Sequence, residues 1–399
     1  MKTSRAMLLV TLAGLAVTAT AVACAEADNE PPGAEPETPT EMPESGAKDQ
    51  EAPADAGCDA LDPSRCTTTV DPCESVDWCP VDHPADPRRA FTSVWGTSKD
   101  DVWAVGSAGT ILHFDGAKWT SASVDTTRTL FSVSGSGRDD VWIVGTYGTV
   151  YHGPGFEGGA ANWKPMPIVP YTGAPEKTLS AVWSASPDDV WITGGSLEIP
   201  GQPSEATQYR KKVLVDGGVG WDAISPCDSC TFMGGVWGAS ASDVWSVGEG
   251  GMTFHTTQAR PVDGGVAGGG DAAAPGWFAV DSQSTQDLLA VWGSSKDDVW
   301  TVGRRGTIRR YGAGASAWEI VAAGTTEDLR GVWGSSKDDV WVVGEYGTIL
   351  HFDGTSWKTS TAAFPVGIKP HLYGVWGSAK DDVWVVGEGI VLHFTGAKK

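Results

Sequence analysis

The chain has 399 residues, with 50 acidic side chains against 28 basic ones and a formal net charge of −22. That acidity excludes nucleic-acid binding, which needs a basic face to neutralise phosphates. The length could hold two or three ordinary domains, but a repeat architecture can use most of it as one.

At the start, Lys2 and Arg5 precede an apolar run from Ala6 to Val17, the layout of a secretory signal over residues 1–23. The run is too short and too rich in small residues for a membrane span, and no later stretch is long enough for one. Ala21-Val22-Ala23-Cys24 resembles a bacterial lipobox. The resemblance implies lipidation of Cys24 and a membrane-anchored lipoprotein, facing the periplasm or the cell surface. Plain secretion after ordinary cleavage is the alternative. Residues 25–82 hold sixteen Asp or Glu against Lys48 and Arg65, a local charge of −14. Residues 24–57, rich in Pro, Ala and Glu, cannot bury a core and are expected to form a disordered acidic tether.

With Cys24 set aside, Cys58, Cys66, Cys73, Cys79, Cys227 and Cys230 remain, an even number that suits disulfides in an exported chain. The four in and just after the segment 58–77 allow three pairings. Cys227 and Cys230 read as a local loop disulfide rather than a redox pair, because no strand–helix pattern surrounds them. The spacings form no clean pair of zinc knuckles.

From Phe91 onward one pattern recurs seven times: L-x-x-V-W-G-x-S-x-D-D-V-W-x-V-G-x-x-G-T-I-L-H-F-x-G-x-x-W. Its second Trp falls at Trp103, Trp142, Trp191, Trp245, Trp300, Trp341 and Trp384. The position eight residues earlier is Trp in every copy except the second, where it is Ser134. Each copy divides into four short apolar runs punctuated by Gly, Asp and Ser. Runs such as V-W-V-V are apolar on both faces, so both faces must be covered. The predicted fold is therefore all-β, a seven-bladed β-propeller of four-stranded blades over residues 78–399. The last copy ends before its fourth-run Trp, and the missing Trp stands at the other end as Trp78. The Trp78 segment is expected to supply the outer strand of the last blade and close the ring. A disulfide between Cys73 and Cys79 would brace that closure. A closed ring has no open stack end, and a monomer is expected. Blade two is expected to pack more loosely at Ser134.

The runs Gly109 to Trp119 and Gly347 to Trp357 (G-T-I-L-H-F-D-G-x-x-W) resemble the BNR or Asp-box hairpin of exported propellers. That group includes sialidases, and photosystem II assembly factors that bind without catalysing. The match departs in detail, since Asp115-Gly116 and Asp353-Gly354 are adjacent where the Asp-box has a residue between them. The Asp-box turns a hairpin, so the resemblance implies fold and no catalytic residue.

Five of the seven histidines share one repeat position: His113, His152, His255, His351 and His393. A metal ring is excluded by distance, because packed sheets lie about 10 Å apart and zinc needs ligands at about 2.1 Å. Separate packing or hydrogen-bonding roles are expected, with no metal and no cofactor. The acidic pairs such as Asp100-Asp101 recur in the first hairpin and read as turn chemistry rather than calcium sites. Binding sites normally break repeat symmetry, so function is sought where the repeat varies. The turn between strands two and three carries Tyr147, Glu249, Arg304, Arg305, Glu345, Tyr346 and Glu388, and its expansion in blade three, Ser196 to Arg210, carries Tyr209 and Arg210. These nine residues are the candidate site, on a funnel face suited to a protein segment or glycan. The resulting expectation is a non-enzymatic extracytoplasmic binding scaffold. The alternatives are a BNR-type glycoside hydrolase, needing an arginine triad with Tyr, Glu and Asp, and a lectin with one site per blade.

Overall fold

A computed structural model of the chain describes residues 72–157, 160–168, 177–196, 206–214, 217–224, 226, 232–257, 276–365, 367 and 369–396. Cys24, Cys58, Cys66, Cys227, Cys230, the acidic tether and the glycine-rich insertion at 258–275 lie outside them. The described chain forms seven four-stranded antiparallel sheets arranged as a β-propeller. Blade one is typical: Phe91–Ser98, Asp101–Gly106, Ile111–Phe114 and Trp119–Ser121 pair in that order from axis to rim. The second strand is fully buried in blades one, two and five, which explains why its sequence is apolar on both faces.

The ring closes across the termini. Blade seven takes Leu372–Ala379, Asp382–Gly387 and Ile390–Phe394 from the end of the chain and Cys79–Pro80 from its beginning. Trp78 is completely buried and meets Trp341 edge-to-face at 5.0 Å. Trp119 makes the same contact with Trp384 at 5.3 Å. The sequence expectation for Trp78 therefore holds. Cys73 and Cys79 are bonded, but both lie in the closing segment. The bridge stiffens that strand without riveting it to blade seven.

Three tryptophan positions perform three packing tasks. The second-strand indoles are at most 3% exposed, which removes them as sugar platforms and with them a lectin site repeated in every blade. The outer-strand indoles abut the second-strand indole of a neighbouring blade. The first-strand indoles lie over the glycine that follows the equivalent position in the next blade. A Cβ on Gly96, Gly135, Gly238, Gly293, Gly334 or Gly377 would come within 2.5–2.8 Å of that indole's Cη2, closer than real contacts allow. The W-G dipeptide is thus a lock in which each Trp requires the next Gly.

The exception supports the rule. Blade two has Ser134 in place of Trp, and the next blade has Ser184 in place of Gly. Ser184 is buried, and its hydroxyl donates to Asp140 Oδ2 at 3.2 Å or to the Ser186 carbonyl at 3.0 Å. The looser packing expected at Ser134 is offset by this second substitution. Ser134→Trp alone is expected to destabilise by about 1–3 kcal/mol through overpacking, and Ser134→Trp/Ser184→Gly to recover most of it. A double-mutant cycle from denaturant unfolding measures the coupling; additive effects would refute the lock.

Candidate functional site

The recurrent polar residues form one clamp per blade. The first Asp of each pair is at the surface, whereas the second turns inward. Asp101, Asp140, Asp243, Asp339 and Asp382 each accept from a histidine Nε2 on the third strand, at 2.6–3.1 Å. Thr97, Ser136, Ser335 and Ser378 donate their hydroxyls to the same carboxylates in blades one, two, six and seven. The histidine ring lies against the second-strand indole at 3.8–4.5 Å. The turn role expected for these pairs is joined by a second: Asp140 accepts the Ser136 N–H at 3.4 Å within the hairpin, and the inward Asp also orients a side chain that packs on Trp. The Asp115 and Asp353 carboxylates do turn hairpins, each accepting two backbone N–H groups at 2.9–3.0 Å. Among the described residues no three His, Cys, Asp or Glu side chains gather as metal ligands.

Burial pushes the carboxyl groups of Asp101, Asp140, Asp339 and Asp382 up, but hydrogen bonds from His and from Ser or Thr outweigh it. Asp101, Asp339 and Asp382 end below the ordinary value, and Asp140 falls to about 2. A carboxylate with a depressed folded pKa stabilises the fold above its unfolded pKa and loses that contribution as pH falls. Stability is therefore expected to be complete above about pH 4 and to drop as pH falls toward about 2, with Asp140 contributing on the order of 1 kcal/mol after solvent screening. Urea unfolding across that range checks this. Asp140→Asn should flatten part of the dependence, and an unchanged profile would contradict the clamp.

Blades three and five replace the histidine by arginine. Arg210 grips Asp189 through Nε at 3.0 Å and Nη2 at 2.8 Å, and stacks on Trp191 at 4.8 Å. Arg310 does the same with Asp298 and Trp300. This corrects the expectation for blade three. Its third strand begins at Ala206, so Tyr209 and Arg210 are strand residues rather than loop residues. Both are buried, at 7% and 9% exposure. Tyr209 packs with Trp142 and Trp221, and neither residue is available to a partner.

The other seven candidates do converge on one face. The first strand starts where the second ends (Phe91 pairs with Gly106), so the turns after strand two surround the mouth of the central channel. The middle residue of the turn has a left-handed backbone in blades one, two, five and six, at Ala108, Tyr147, Arg305 and Tyr346, with φ of 50–56°. Gly250 takes that position in blade four with φ of 61°, and the shorter turn of blade seven, Glu388-Gly389, omits it. Glycine adopts this conformation freely, whereas Tyr and Arg pay roughly 1 kcal/mol. Tyr147 and Tyr346 are 44% and 57% exposed. Arg305 is exposed too, and its guanidinium has no partner among the described residues.

The first residue of the turn faces inward or sideways. Arg304 bridges Asp287 and Asp328 at 2.7 and 3.3 Å. Glu345 pairs with Arg330. Glu388 accepts from the Tyr373 hydroxyl at 3.1 Å and the His371 N–H at 3.2 Å. Glu249 is half-buried.

Arg330 and Tyr373 belong to a ring absent from the sequence expectation. The residue after the leading Leu of the pattern is Thr92, Phe131, Ser180, Gly234, Leu289, Arg330 or Tyr373, and together they line a mouth of about 380 Å³. The next position is always Ser, Ala or Gly, because neighbouring inner strands touch there: a Cβ on Gly374 would lie 3.1 Å from the Ser93 Cα. The signal was available as the one freely varying position inside an otherwise regular strand.

No protein-family model and no curated protein sequence matches the chain. Solved structures match its fold. A structure described as YCF48 bound to D1 peptide superimposes with a TM-score of 0.57 at 17% identity, over 80% of this chain and 97% of the other. YCF48 from Cyanidioschyzon merolae gives 0.55 at 18%, over 80% and 98%. The WD40 β-propeller domain of Doa1 gives 0.58 at 12%, over 80% and 95%.

Proposed function

We propose that this propeller is an exported, membrane-tethered monomeric scaffold that binds a protein segment on the face carrying the turns after strand two. The observation that carries this reading is the use of Tyr147, Arg305 and Tyr346 at left-handed positions. Three bulky side chains are held at a conformational cost that glycine would avoid, and they project from one face. Tyr and Arg are also the residues that dominate protein interfaces, and strain of this kind gathers at binding sites. Two of the similar structures are YCF48, one of them bound to a D1 peptide, which fits a propeller that holds a chain segment. The signal-like residues 1–23 and Cys24 supply the tether in this reading.

A glycan remains the alternative ligand, and hydrolysis the alternative activity. The mouth brings Arg330, Glu345, Tyr373 and Glu388 together, but it offers one arginine where a sialidase-like site needs three. Burial and the Glu388 charge push the Tyr373 phenol up to about 12, so it stands in the mouth as a neutral hydroxyl donating to Glu388. Binding is therefore the favoured reading.

Affinity capture from membranes tests it. Tyr147→Ala/Arg305→Ala/Tyr346→Ala should lose the partner, while Lys99→Ala/Lys296→Ala/Lys337→Ala on the opposite face should retain it. Equal recovery by both would sink the assignment. Cys24→Ser should move the protein from the membrane to the soluble fraction; continued membrane retention would refute the lipid tether.

A further inference from the structure

We propose that the axial mouth anchors the partner segment, and that it takes a large apolar side chain flanked by lysine or arginine. This rests on the face assignment above. The mouth, about 380 Å³ in volume, can admit a side chain but not a helix, which is about 10 Å across. Its wall is divided by chemistry. Phe131, Phe232 and Leu289 present apolar surface from blades two, four and five. Blades six and seven present Arg330 and Tyr373, which bond to Glu345 and Glu388 at the rim.

Charge on that second side is unbalanced. Arg330 is neutralised by Glu345 and lies 5.5 Å from the Tyr373 ring centre. Among the described residues the Glu388 carboxylate accepts only from a neutral hydroxyl and a backbone N–H, so Arg330, Glu345 and Glu388 together hold one net negative charge. Burial raises the Tyr373 phenol most, and the Glu388 charge adds to it. Residues 83–399 as a whole carry −10, which steers cations toward the protein. An ammonium or guanidinium beside Glu388 can also stack on Tyr373. An apolar anchor next to a basic residue therefore satisfies both halves at once, and an acidic segment satisfies only one.

The test uses the mature chain and three acetylated, amidated peptides: Gly-Lys-Phe-Lys-Gly, Gly-Glu-Phe-Glu-Gly and Gly-Lys-Ser-Lys-Gly. Titration calorimetry should show the first binding at least about tenfold tighter than either other. Phe131→Ser and Glu388→Gln should each weaken it by about fivefold or more, with melting temperature unchanged. Equal affinity for the acidic or the serine peptide overturns the proposal. No binding of the lysine–phenylalanine peptide at millimolar concentration also overturns it. If the turn-tip variants still lose their partner in that case, the anchor is refuted while the face assignment stands.

Discussion

Trp78→Ala is expected to lower stability by about 3–5 kcal/mol, as deletion of a fully buried indole does. The loss exceeds that of an ordinary core residue because of where it falls. Trp78 packs on Trp341 and Phe394 and donates its Nε1–H to Ser360 Oγ at 3.1 Å. Its backbone N–H donates to the Thr361 carbonyl at 3.1 Å. Asp77 reinforces the same seam by accepting from Ser360 Oγ at 2.7 Å. These bonds join residues some 280 apart in sequence, so they fix the first and last parts of the ring to each other. Without them Ile390–Phe394 becomes an open edge, which invites aggregation. Cys73→Ser/Cys79→Ser should cost only about 2 kcal/mol, because the bridge closes a short loop within the closing strand. Guanidinium unfolding of the two variants compares them. A disulfide variant that suffers as much as Trp78→Ala would show that the bridge, and not the indole, holds the ring shut.

The second large effect has opposite signs for stability and binding. Tyr147→Gly/Arg305→Gly/Tyr346→Gly is expected to stabilise the fold by about 1–2 kcal/mol in total, since glycine relieves three left-handed strains. The gain stays below the sum of the strains for two reasons. Glycine loosens the unfolded chain, and Tyr147 and Tyr346 forfeit contacts with Arg128 and His371. Arg305 forfeits no side-chain partner among the described residues, and its backbone N–H bond to Asp328 Oδ1 at 2.9 Å survives. The same variant should bind its partner at least about a hundredfold more weakly, at 1–2 kcal/mol per lost Tyr or Arg anchor. Gly250→Tyr supplies the converse in blade four: lower stability with no gain in binding. A triple glycine variant that is less stable than wild type would mean these residues serve the scaffold.

The regular part of the molecule was legible because its causes are local and repeat. Each Trp-Gly dipeptide records a contact between neighbouring blades, and each inward Asp records a clamp, to His in five blades and to Arg in two. Even the irregular closure could be read, since one Trp was missing at the end and one was spare at the beginning. The site was legible only in part. In the sequence Tyr209 and Arg210 read as loop residues, because Gln208, Tyr209 and Arg210 hide the usual I-L-H spelling of strand three. Arg310 marks the same strand position in blade five and shows that Arg can replace His against the Asp. The axial ring was missed for a different reason. Thr92, Phe131, Leu289 and Arg330 share no chemistry, and pattern reading looks for what repeats. Thr92 and Ser180 even use their hydroxyls between blades, on the Leu130 and Met233 carbonyls, whereas Phe131 and Leu289 make the apolar wall. Only the closed ring shows that these seven residues meet.

The central claim, that the partner lies on the face where symmetry breaks, is tested most directly by site-specific photocrosslinking in the cells that make the protein. A benzophenone amino acid replaces Tyr346 on that face or Lys337 on the opposite one. Position 346 should give one discrete crosslinked species that disappears with Tyr147→Gly/Arg305→Gly, and position 337 should give none. A discrete species from position 337, or silence at position 346, would contradict the account.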